Sequence, residues 1–167
     1  MRLSTKAYIG IVLLAASSRL VPHPPNFTVI GSLALFGGAC FEEALMAYLV
    51  PLAAMLLWDA VIGFHHGMPV VYAAFLLTTA LGRRMQGSRS VGQVARMSLC
   101  SAIMFYLITN FGVWAGSGMY PHTAQGLLAC YAAAIPFFGN TLAGTIVYSA
   151  VMFGAAEAAD RAILAAA

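Results

Sequence analysis

An all-α, polytopic membrane bundle is the fold class this sequence predicts, and three observations predict it. Apolar residues make up 62% of the chain and charged residues 8%, far from the roughly 25% charged and 45–50% apolar of soluble domains. The apolar residues fall in runs of membrane-crossing length, separated by short polar or proline-rich inserts. The basic residues are concentrated in one loop and near the two ends of the chain, as the topology of a membrane protein requires.

Taken in order, the runs give six spans. The first, 6–22, ends at the insert PHPPN. The second, 27–41, is bounded by Glu42 and Glu43. The third, 45–64, runs to the polar HHGM turn. The fourth, 69–82, stops at Arg83 and Arg84. The fifth is 94–115. The stretch after Thr123 carries Pro136, Gly139 and Asn140, and proline removes a helix hydrogen bond and kinks the chain. It is therefore read as a short extra helix, 123–134, followed by a sixth span, 137–159. Spans two and four are short for a bilayer and must lie within a bundle or end at a cavity. At 167 residues the chain is one integral membrane domain.

Arg83, Arg84, Arg89 and Arg96 place their loop in the cytoplasm by the positive-inside rule. With six spans, both termini are cytoplasmic as well, and every basic residue except Arg19 agrees. The localisation expected is a bacterial cytoplasmic (inner) membrane, multi-pass, with the lipid bilayer as a partner. The net charge of +3 thus reflects topology, and no nucleic-acid partner is implied. Cys40, Cys100 and Cys130 are odd in number, lie in apolar stretches and form no CxxC, so they read as small buried hydrophobes.

This topology puts three loops outside, 22–26, 65–68 and 116–125. All four histidines, His23, His65, His66 and His122, lie in or beside them. The outer ends of the spans also hold Arg19, Asp59, Asn110 and Asn140, together with Trp58, Trp114, Tyr120 and Tyr131. Polar groups at membrane depth are costly and face a bundle interior or a cavity. Their convergence predicts an outward-facing pocket whose substrate-binding candidates are Arg19, His23, Asn26, Asp59, His65, Asn110, Trp114, Tyr120, His122 and Asn140. Arg19 and Asp59 are expected to pair. Pro22, Pro24 and Pro25 fix φ and withhold donors, making the first outer loop a stiff lid that carries His23 and Asn26. The bland readings stand beside these: an aromatic belt for the tryptophans, interhelical hydrogen bonding for the asparagines, and simple loop polarity for the histidines.

Enzyme templates find nothing: the chain has no GxSxG, HExxH or Walker loop, so no enzyme and no resident cofactor are expected. His65 and His66 are adjacent and cannot share a helix face as an i, i+4 metal pair does. Metal candidates reduce to His65, His122 and Cys130.

The segments RLVPHPPNFTVIGSLALFGGA, PLAAMLLWDAVIGFHHGMP, FYLITNFGVW and GMYPHTAQGLLACYAAAIPFFGNTLAGTIVYSAVMFG together resemble a bacterial integral membrane family similar to the substrate-binding S-components of energy-coupling-factor (ECF) vitamin transporters. The resemblance covers about residues 19–154. It implies six helices, cytoplasmic termini, and capture of a small-molecule substrate near the outer face under loop lids. The substrate implied is a vitamin or cofactor precursor. A corrinoid such as cobalamin leads the candidates, which would make a cobalt-containing ligand the cargo. An ECF coupling subunit with its ATPases is the partner implied, unless the protein works alone as cobalamin-type S-components do. The small-residue spacing of docking S-components is met at Ala7 and Ala15 but not at Ile11. The alternative is a non-transport membrane subunit binding metal or haem, or a structural membrane scaffold.

Overall fold

The computed structural model describes residues 3–166. Six α-helices run through them: α1 Thr5–Ser17, α2 Ile30–Cys40, α3 Ala44–Ile62, α4 Met68–Arg83, α5 Val91–Gly116 and α6 Ala124–Ala166. A 3-10 turn, Ser18–Leu20, extends α1, and no strand occurs among the described residues. Three of the helices, α3, α5 and α6, are long and apolar enough to cross a membrane, with mean hydropathies of 2.0, 1.5 and 1.4. Their exposed side chains include Leu49, Leu56, Leu107 and Val151, a surface that suits lipid and not water.

Helix starts follow their caps. The Ser4 hydroxyl accepts from the Ala7 amide at the head of α1. Ser90 does the same for Gln93 and starts α5 three residues before the expected 94. Pro69 sits in the first turn of α4, where its missing N–H costs nothing. Pro51 lies inside α3, with its ring packed against Gly37 of α2.

The organising element is α2. Every residue from Gly31 to Cys40 is buried, and the helix packs against all five others. With 11 residues it is about 16 Å long, half the thickness of a bilayer's hydrocarbon core. Its neighbours reach it closely because of glycine. A Cβ on Gly38 would lie 2.2 Å from the Thr79 carbonyl oxygen of α4, and one on Gly82 would lie 2.4 Å from the Leu35 carbonyl oxygen of α2. Side chains at either position would force the two backbones apart.

Two expectations are corrected here. The last stretch is not a short helix plus a separate span: α6 is one helix of 43 residues with Pro136 inside it. Proline cancels one backbone hydrogen bond at a cost of about 3 kcal/mol. Packing against α5 on both sides of it, through Tyr131 and Phe138 around Tyr106, offsets that local loss. The first span also stops early, at Ser17, where the Ser17 and Ser18 hydroxyls turn back to the Leu13 and Ala15 carbonyls.

At one end of the bundle Arg89 gathers four elements. Its Nη2 is 3.1 Å from the Asp160 carboxylate, and its Nη1 donates to the Tyr8 hydroxyl at 3.2 Å and to Cys40 Sγ at 3.4 Å. The other Asp160 oxygen accepts from the Leu3 amide at 2.6 Å. Burial opposes the charge on Arg89, but Cys40 and Tyr8 outweigh it and hold the pKa above the ordinary arginine value. The opposite end, where the loops 18–29 and 63–67 lie, carries the cavity.

Candidate functional site

The short central helix leaves space above its N-terminus. The loop 21–29 crosses that space instead of a helical turn, because the three prolines of VPHPPNF withhold backbone donors at positions 22, 24 and 25. The result is a cavity of about 360 Å³, at the lower end of the range of small-molecule sites. Ile30 and Gly31 lie at its floor with Thr145, the Arg19 turn and α3 form one wall, and α5 and α6 form the other.

Arg19 is carried into this space by the 3-10 turn that ends α1. Its Nη2 lies 2.5 Å from Asp59 Oδ1 on α3, and its Nη1 donates to the Met55 carbonyl at 3.3 Å. The second Asp59 oxygen accepts from the Tyr72 hydroxyl of α4 at 2.5 Å. The side chains of the pair are only 12% and 5% exposed. Such burial is tolerable because both carboxylate oxygens are satisfied. The expected charge pair is therefore present, with a tyrosine as its third member.

The loop above is held by a side chain from the far wall. Asn140 Nδ2 of α6 donates to the Pro25 carbonyl at 2.9 Å. The adjacent Asn26 adopts φ +64°, the left-handed conformation that asparagine tolerates better than most residues, and it lines the cavity.

Five of the ten sequence-derived candidates line the cavity: Arg19, Asn26, Asp59, His65 and Asn110. Asn140 acts one step back, through Pro25. The other four are elsewhere. His23 is exposed, with its Nδ1 at 3.1 Å from the Pro24 carbonyl. Trp114 donates from Nε1 to the Pro121 carbonyl at 3.0 Å and meets the His122 ring edge-on at 5.4 Å. Both belong to a local fold of the 117–123 loop, in which Tyr120 is half-buried. Cys130 is buried, its Sγ donating to the Asn110 carbonyl at 3.4 Å. His65, His122 and Cys130 thus have separate surroundings. No group of three or more His, Cys, Asp or Glu side chains that could hold a metal ion occurs among the described residues.

Apart from Asn110, the sequence reading missed the α5–α6 wall. Thr109 and Thr141 line it with Phe105, Tyr106, Phe137 and Phe138. Each threonine hydroxyl bonds back to the carbonyl four residues earlier, Thr109 to Phe105 at 2.8 Å and Thr141 to Phe137 at 3.2 Å. Asn110 Nδ2 does likewise with Tyr106 at 2.8 Å. The signal was in the sequence: hydroxyl residues recur every fourth position at Thr141, Thr145 and Ser149, one face of a helix.

Comparison with known proteins adds a family. The sequence matches the family of unknown function DUF6580 over residues 2–166, and the chain belongs to that family. No curated protein and no solved structure matches it.

Proposed function

We propose that this member of DUF6580 is a substrate-binding membrane component for uptake of a vitamin or cofactor precursor, captured in an outward-facing cavity. The observation that carries the reading is the cavity: it is lined by residues of every helix except α1, together with the Arg19 turn and two loops, at one end of an apolar bundle. A scaffold has no need of a half-depth hole with a desolvated ion pair in its wall. The positive-inside rule supports the orientation, because Arg83, Arg84 and Arg89 lie at the end away from the cavity. That orientation puts both termini in the cytoplasm and the 21–29 loop outside, in the inner membrane of a bacterium. A six-helix chain with a binding cavity under loops is also the plan of ECF S-components. A cavity of about 360 Å³ suits a one- or two-ring solute and is small for a corrinoid, whose macrocycle would require the 21–29 loop to open. The metal- or haem-binding alternative has less support, since the histidines are not gathered.

Native mass spectrometry and absorbance of the protein purified in mild detergent test the reading. A retained small molecule that is lost in Asn110→Leu is the expected result. A wild-type protein that carries nothing, and whose melting temperature no vitamin or vitamin precursor raises, would refute it.

A further inference from the structure

The polar groups on the α5–α6 wall of the cavity are mostly hydrogen-bond acceptors. A threonine hydroxyl has one hydrogen and two lone pairs, and Thr109 and Thr141 spend that hydrogen on their own helices. Asn110 spends one of its two amide hydrogens in the same way, which orients its Oδ1 as an acceptor and leaves one N–H as the only uncommitted donor among the three residues. No described residue donates to Asn110 Oδ1 or to either hydroxyl oxygen. A ligand that donates to these three oxygens displaces no internal bond. A ligand that accepts from either threonine must first break that bond. Phe105, Phe137 and Phe138 line the same wall, aromatic surface of the kind that packs against a flat or cationic group.

The forces favouring an anion are weaker. The Arg19 charge is neutralised by Asp59 at 2.5 Å, so the pair acts as a dipole. The N-terminus of α2 at the floor offers N–H groups to an acceptor, but it is one feature against three uncommitted oxygens. The geometry points to a planar solute that presents N–H donors, such as an amidine, an aminoheterocycle or an aryl ammonium, as the class this cavity takes. The inference rests on the capture reading and specifies its ligand.

Benzamidinium and benzoate are matched in size and shape and opposite in hydrogen-bonding sense. Titration calorimetry and saturation-transfer NMR on the intact protein in detergent compare them. The expected result is benzamidinium binding at least tenfold more tightly than benzoate, with most of that preference lost in the double variant Thr109→Val/Asn110→Leu. Benzoate binding equally or more tightly overturns the donor preference and leaves capture standing. A preference that survives in the folded double variant overturns the assignment to this wall. If neither probe contacts the cavity at millimolar concentration while a retained ligand is found by mass spectrometry, the planar-donor class is wrong. If there is no retained ligand either, the capture reading falls first.

Discussion

Neutralising Arg19 and Asp59 separately and together measures whether the cavity wall is built on their attraction. The guanidinium and carboxylate meet at 2.5 Å. With charge centres about 4 Å apart and an effective dielectric constant of about 20, their attraction is about 4 kcal/mol. Arg19→Leu leaves the Asp59 carboxylate with only the Tyr72 hydroxyl, and a lone buried charge of this kind costs about 3–5 kcal/mol. Asp59→Leu strands Arg19 with the Met55 carbonyl and also orphans the Tyr72 hydroxyl, adding about 1 kcal/mol. The double variant has no charge to desolvate and should lose about 1–2 kcal/mol, since an ion pair replaced by packed apolar groups is close to neutral. The coupling is therefore expected to be at least about 3 kcal/mol in favour of the double variant. Unfolding in mixed detergent–SDS micelles, followed by tryptophan fluorescence, gives the four free energies. Tyr72→Phe in the Asp59→Leu background should recover about 1 kcal/mol, because it removes the orphaned hydroxyl. If the two single losses add to within about 0.5 kcal/mol, the pair contributes nothing as a pair and the argument for a compensated charge at the cavity fails.

Other outcomes follow from the same geometry. Gly38→Ala should cost about 3 kcal/mol or more, because its Cβ meets the Thr79 carbonyl backbone. Gly10→Ala, with nothing within 4 Å, should be neutral or stabilising by up to about 1 kcal/mol, and the same melts compare the two. With the native cysteines replaced, Ser88→Cys should react with a membrane-impermeant maleimide only after permeabilisation, and His66→Cys in intact cells; the reverse pattern would invert the topology. Asn26→Gly keeps the φ +64° backbone and removes the side chain, so ligand affinity should fall several-fold with unchanged melting, whereas His23→Ala, exposed and turned onto its own loop, should bind as wild type. Asp160→Asn should lose about 2–3 kcal/mol, since Arg89 and the Leu3 amide both depend on its charge.

What was legible in the sequence was whatever violates its surroundings. Arg19 and Asp59 are charges inside apolar runs, where pairing is almost compulsory, and they pair. The proline-rich insert is conspicuous for the same reason, and it roofs the cavity with Asn26. The threonines of the α5–α6 wall break no rule: a hydroxyl bonded to its own helix is at ease in lipid, so Thr109 carries no signal and Thr141 shows only through its four-residue spacing with Thr145 and Ser149. Pro136 misled in the other direction. Read locally it ends a helix, but packing around Tyr106 on α5 carries α6 through it. The Arg89–Asp160 contact was invisible because each residue looked like an ordinary polar group at a wet end. Trp114 and His122 were grouped with the site because they lie at its end of the bundle, yet they serve the 117–123 loop.

One physical cause links the insert, the glycines and the cavity. The helix α2 has 11 residues against 19 in α3 and 26 in α5, so it is at least about 12 Å shorter than those two neighbours. A helix that short cannot satisfy both membrane faces and survives only when wholly buried, which the Gly38 and Gly82 contacts with backbone allow. The missing turns fall at the N-terminal end, because Pro22, Pro24 and Pro25 delay the helix to Ile30. What remains above Ile30 is the cavity, with no other helix placed to fill it. Extending α2 should then close the site without substituting any lining side chain, although Asn26 and Thr28 move with the backbone. Replacing Pro24 and Pro25 with alanine lets the chain before Ile30 turn helical. The expected protein is as stable as the wild type or more so, with its ligand lost. Unchanged binding in a stable double variant would show that the cavity owes nothing to the shortness of α2.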